Sequence, residues 1–166
     1  MARLLYQIAL MFALALPAIA AEKLPAYDEL ADAHRDLSAA QTIARRENKP
    51  VLVVFGANWC PDCRAFNDEM NGPELGSELA LHYVVVKVDV ARFKKNVEIA
   101  NKYGIVIRRG IPAMSLISAD ETVLSVVDGR KMEELRGKDV PAVINFLTTA
   151  VNSPQASLPV SAPASH

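Results

Sequence analysis

Val51-Leu52-Val53-Val54-Phe55-Gly56-Ala57-Asn58-Trp59-Cys60-Pro61-Asp62-Cys63 is the stretch from which the rest of the chain can be placed. The continuous β-branched and aromatic run from Val51 to Phe55 reads as a strand covered on both faces. Gly56 and Ala57 let the chain turn. Pro61, favoured at a first helical position, opens a helix that runs to about Met70 and stops at Asn71-Gly72. The chain's only two cysteines, Cys60 and Cys63, therefore stand where a strand ends and a helix begins. Unpaired N–H groups and the positive end of the helix dipole favour an anion at that place, and the thiolate is the reactive form of cysteine. The pattern makes Cys60 the attacking sulfur and Cys63, one turn deeper, the resolving one. Asp62 opposes a thiolate by like charge while being stabilised itself by the dipole, so its net effect stays open.

Upstream of this stretch, residues 21–27 read as a short extended leader. Leu30, Ala33, Leu37, Ala40 and Ala44 then recur at helical spacing, with Asp28 and Glu29 expected in the first turn and Arg45, Arg46 and Lys49 near the last. Downstream, Pro73 can start a helix containing Leu75, Leu79 and Leu81. Tyr83 to Val90 reads as a second buried strand, interrupted by Lys87. A short helix near Asn96 to Tyr103 ends at Gly104, where a left-handed residue is needed. A hairpin follows, with Ala113 to Ser118 and Thr122 to Val127 as its strands. Asp139 can cap a final helix that carries Val143, Ile144 and Leu147 inward. Two core strands joined by a helical crossover are parallel, and the hairpin adds an antiparallel pair, which together predict an α/β sandwich with a mixed sheet.

Arg3, the apolar run Leu4 to Leu16, and Pro17 before Ala18-Ile19-Ala20 form a signal-peptide pattern with cleavage after Ala20. The apolar run is shorter than the roughly 20 residues a spanning helix needs, so no stable membrane insertion is expected after cleavage. Residues 21–150 are read as one domain and 151–166, rich in Pro, Ser and Ala, as a tail. Export to a periplasmic or extracellular setting permits a structural disulfide, but a bridge across two intervening residues closes almost no loop and is a poor staple. A metal site would need further ligands, and His34, His82 and His166 do not cluster at ligand spacing. The formal net charge of −1 offers no basic face for nucleic acid.

Trp59-Cys60-Pro61-Asp62-Cys63 at a strand-to-helix junction, with Gly110-Ile111-Pro112 further on, resembles the thioredoxin superfamily over roughly residues 39–147. The resemblance implies the thioredoxin fold, a mixed central sheet flanked by helices and here preceded by an extra N-terminal helix. It implies a thiol:disulfide oxidoreductase of protein-disulfide reductase type, with Cys60 and Cys63 catalytic and no cofactor. Pro112 matches the family's cis-proline, with Ile111 pairing to an extended substrate segment and Trp59 shielding the motif. Pro61, Asp62 and Lys87 take supporting positions, and Ile111 is typical of reducing members. Partners would be exported proteins with cysteines or disulfides and a membrane electron donor.

Departures are equally specific. Val54 stands where thioredoxins carry a buried acid, and Gly56 where they carry a second tryptophan. Three extra residues lie between Tyr103-Gly104-Ile105 and Arg109-Gly110-Ile111, and the motif helix lacks its mid-helix proline. These features, with the helix leading into Lys49-Pro50-Val51, bring the chain closer to exported thioredoxin-like proteins resembling the C-terminal domain of the bacterial transmembrane thiol:disulfide interchange protein. The competing expectation is a thioredoxin-fold adaptor or chaperone that binds extended polypeptide without using its cysteines. Arg108 and Arg109, near Pro112, are expected in a solvated loop or facing acidic substrate segments.

Overall fold

Every residue of Val51–Gly56 (β1) is buried, because this strand has a neighbour on each side and a helical layer on each face. In the computed structural model of the protein, which describes residues 24–135 and 140–152, β1 pairs in parallel with Val84–Asp89 (β2) and antiparallel with Ala113–Ile117 (β3). Val123–Val127 (β4) extends the sheet beyond β3, giving the order β2-β1-β3-β4. The sheet is mixed, as the crossover and hairpin required.

Alternation along β1 feeds two cores. Val51, Val53 and Phe55 face Ala33–Glu47 (α1), which contributes Leu37, Ala40 and Ala44, and Val97–Lys102 (α4), which contributes Ile99 and Ala100. Leu52 and Val54 face the opposite layer. That layer is built from Pro61–Met70 (α2), Pro73–His82 (α3), Gly129–Leu135 (α5) and Val140–Asn152 (α6).

Several sequence expectations shift. The first helix begins at Ala33 with Asp32 as its N-cap, so Asp28 and Glu29 precede it and Leu30 is 95% exposed instead of joining the stripe. The Asp32 carboxylate accepts the Arg35 N–H, a cap that outcompetes continuation of the apolar spacing. Leu81 is exposed as well. β2 is an edge strand with Val85 and Lys87 turned outward, so it is buried on one face only. Gly104 takes φ +76 after α4, and the three extra residues before the Ile-Pro pair are taken up in a 3-10 turn, Ile107–Arg109. Helix α5 is an element that the sequence reading lacks, and α6 runs on to Asn152. The signal-peptide pattern to residue 20, Asp139 and the tail from Ser153 lie outside the described residues.

The segment before α1 is held firmly. Asn58 Oδ1 accepts the Tyr27 N–H at 2.9 Å and Asn58 Nδ2 donates to the Tyr27 carbonyl at 2.8 Å, so one side chain pairs with that backbone as a strand would. Tyr27 is 1% exposed and fills the space above Gly56. A Cβ on Gly56 would lie 2.9 Å from Tyr27 Cε2 and closer still to Cζ and the hydroxyl oxygen.

At the other end of the sheet, Glu121, at φ +69 in the hairpin turn, accepts from Lys102 Nζ at 2.6 Å and from buried Gln41. The hydrogen bond from Lys102 holds the Glu121 carboxyl below its ordinary range.

Two outcomes follow from these contacts. Gly56→Ala is expected to cost about 1–3 kcal/mol by overpacking, and its effect should be strongly non-additive with Tyr27→Leu in a thermal-denaturation double-mutant cycle, as for residues in direct contact. Glu121→Gln should destabilise by no more than about 1 kcal/mol, because the pair with Lys102 is partly solvated. Since the folded carboxyl is depressed, that contribution is present above the ordinary carboxylate range and lost as pH falls through the folded value. Denaturant titrations of both proteins should therefore converge in acid.

Candidate active site

Cys60 is the residue that caps α2. Its backbone is extended, at φ −84 and ψ 116, and its Sγ accepts the N–H of Cys63 at 3.2 Å. A thiol thus occupies the place that Ser, Thr or Asp usually fills at a helix start. That leaves a sulfur aimed along the helix axis at the end of β1, with Pro61 at the first helical position. Both cysteines are free thiols; Cys60 is 5% exposed and Cys63 0%. Burial pushes the Cys63 thiol well above the ordinary range, reinforced by the Cys60 sulfur and the Asp62 carboxylate and only partly offset by a backbone bond at Ala57.

The Ile111–Pro112 peptide bond is cis, and the Ile111 carbonyl accepts from the Cys60 thiol at 3.6 Å. A strand-to-helix junction and a loop fifty residues away in sequence are thereby brought face to face. Beside them opens a cavity of about 330 Å³ whose lining includes Asp62, Phe66, Arg109, Ile111, Pro112 and Met132. Arg109 also reaches Asp128 at 3.8 Å, whereas Arg108 is exposed on the 3-10 turn outside this lining.

Trp59 forms the other rim and is 41% exposed. Its indole N–H donates to the Ala91 carbonyl at 2.6 Å, its ring meets Phe93 edge-on at 5.6 Å, and the Arg92 guanidinium lies 5.7 Å from its centroid. The loop after β2 holds the tryptophan in place, with Ala91 at φ +45 and Phe93 at φ +59. Lys87 sits opposite Val54 in the β1–β2 register, and its amine donates to Asn67 Oδ1 at 2.8 Å, one turn past Cys63. Partial burial lowers its pKa. It ties the edge strand to the motif helix. Asp62 is exposed in the first turn and lines the cavity.

Three features of the site were not read from sequence. The loop at Ala91–Phe93 carried no motif. Arg130 and Met132, on the unforeseen α5, complete the cavity. Tyr27 packs with Ala26, Cys60 and Cys63 in one buried cluster, with partly buried Ile111 against it. The available signal for Tyr27 was a large aromatic in a leader of small residues, paired with a glycine where a tryptophan was expected.

Thioredoxin H4 of Arabidopsis thaliana is 30% identical over 97 residues, 58% of this chain and 74% of that protein. Thioredoxin C-2 of Corynebacterium nephridii is 36% identical over 86 residues, 52% of this chain and 72% of that protein. Among solved structures, a disulphide isomerase from Xylella fastidiosa Temecula1 superposes with a TM-score of 0.70 at 34% identity, covering 77% of this chain and 98% of that one. The oxidised DsbD C-terminal domain of Neisseria meningitidis has the same fold, with a TM-score of 0.53 at 20% identity over 72% of this chain and 97% of its own. The family model described as thioredoxin-like matches residues 32–119, and the chain belongs to the thioredoxin-like family.

Proposed function

We propose that this chain is a thiol:disulfide oxidoreductase that exchanges disulfides with exported proteins, running in the reducing direction. The observation that carries this reading is the pair of free thiols at the start of α2, with Cys60 Sγ receiving the Cys63 N–H and facing the cis Ile111–Pro112 bond beside an open cavity. Cys60, as a thiolate, attacks one sulfur of a substrate disulfide; the substrate's other sulfur leaves and takes a proton. Cys63 then loses its proton and attacks Cys60 Sγ, which releases the second substrate thiol and leaves a Cys60–Cys63 disulfide. Two electrons pass from the protein to the substrate, and no cofactor is required.

Ile111, Pro112 and Trp59 form the docking rim, while Pro61, Asp62 and Lys87 support the motif helix. Because burial disfavours the Cys63 thiolate, its attack on Cys60 quickens as pH rises. Export rests on the first twenty residues of the sequence, with cleavage after Ala20, a domain over residues 21–150 and a tail beyond it. A reductant in an oxidising compartment must itself be re-reduced, which calls for an electron donor at the membrane. The similarity to proteins named thioredoxin and the isoleucine before Pro112 support the reducing direction.

Cys63→Ala is expected to accumulate mixed disulfides through Cys60, visible as higher-mass species that collapse on reduction, and Cys60→Ala to accumulate none. Absence of trapped species under every redox condition would leave the groove as a binding surface for extended polypeptide, the adaptor reading. Equilibration of the dithiol against glutathione is expected to give a potential near the thioredoxin value of about −270 mV, and a result near −120 mV, typical of strong oxidants, would reverse the direction.

A further inference from the structure

Among the described residues, the Tyr27 hydroxyl is the buried side-chain polar atom with no hydrogen-bond partner. Its ring is held in the same buried cluster as Cys60 and Cys63, and its hydroxyl end lies against Gly56 at the end of β1. An orphaned buried hydroxyl costs stability, and phenylalanine offers nearly the same shape without that cost. The backbone of Tyr27 is fixed on both sides by Asn58, and its ring packs against Gly56 and the cysteine cluster.

The groups around it say which state could use such a donor. From the start of α2 come the cap Cys60 and Cys63, with the Asp62 carboxylate acting on Cys63; from the end of β2 comes Asp89, bridged to Lys95 at 3.7 Å and accepting the Ala91 N–H at 3.1 Å. The Asp62 carboxylate disfavours negative charge on Cys63, and Asp89 disfavours it on the phenol. Val54, on the strand below, is apolar and fully buried. The charge that develops here during the reaction is on Cys63, when it deprotonates to resolve the mixed disulfide.

We propose that the Tyr27 hydroxyl, unpaired in the dithiol form, donates a hydrogen bond to the Cys63 sulfur as that sulfur becomes a thiolate, and so acts as a positioning residue for resolution. This role rests on the oxidoreductase reading given above. The atoms balance without a new reagent: the Cys63 proton passes to solvent, the Cys63–Cys60 bond forms as the Cys60–substrate bond breaks, and Tyr27 keeps its own proton throughout. Burial, and then the neighbouring sulfurs, push phenol ionisation far above its ordinary range, which makes Tyr27 a donor and not a base.

The test compares the full chain with Tyr27→Phe after both are loaded at Cys60 as a mixed disulfide with thionitrobenzoate, following its release against pH. Loss of one hydrogen bond to the thiolate is expected to slow release about tenfold at neutral pH and to move the inflection of the profile up by about one pH unit. Alkylation of Cys60 in a Cys63→Ala background should be unchanged by Tyr27→Phe. Thermal melting shows whether the variant folds. Site-specific 3,5-difluorotyrosine at position 27, a stronger donor, should move release in the opposite direction. Equal rates and profiles in the Tyr27→Phe and parent proteins would reduce Tyr27 to packing and overturn the role while leaving the oxidoreductase reading intact. A parent protein that never forms the mixed disulfide removes both.

Discussion

A helix that begins at the end of a buried strand must find a cap for its first N–H groups, and in this protein the cap is a sulfur. The bond from the Cys63 N–H to Cys60 Sγ makes helix formation and thiol placement one event. The rest of the structure serves that junction. β1 is immobilised by parallel pairing on one side and antiparallel pairing on the other. Pro61 sets the first helical φ without wasting a donor. Phe66 and Met70 anchor α2 in the lower core, so the helix start cannot drift from the strand end.

Around this junction the chain supplies walls from distant segments. The cis Ile111–Pro112 bond places a backbone carbonyl on Cys60, and the loop after β2 holds Trp59 through Ala91 and Phe93. Helix α5 closes the cavity from the far side. Tyr27, which precedes the matched residues 32–119, enters the site by filling the volume that Gly56 leaves open. Tyr27 thereby supplies bulk beside the cysteines and brings a hydroxyl into their cluster.

Much of this was legible because the signals are local. A β-branched run, a proline at a helix start, Asn71-Gly72 at its end and Gly104 after α4 each report a backbone requirement that neighbouring residues impose. Leu30 misled because the Asp32 cap starts the helix after it, and Leu81 because spacing registers periodicity but not whether a partner surface exists on that side. Lys87 in an otherwise apolar strand fits the edge position, where lysines discourage further strand pairing. Helix α5 was missed because Gly129–Leu135 is short and polar, and a helix of that length depends on its docking.

From the sequence alone came the chemistry: two cysteines at a strand-to-helix junction and the α/β class that holds them. These are set by short-range backbone geometry, which residue type controls directly. The tertiary structure alone decided what surrounds the sulfurs. Burial of both thiols, the upward push on Cys63, the carbonyl contact at Cys60 and the unpaired Tyr27 hydroxyl all arise from segments far apart in the chain. Desolvation and charge act through space, and only packing determines which groups share it.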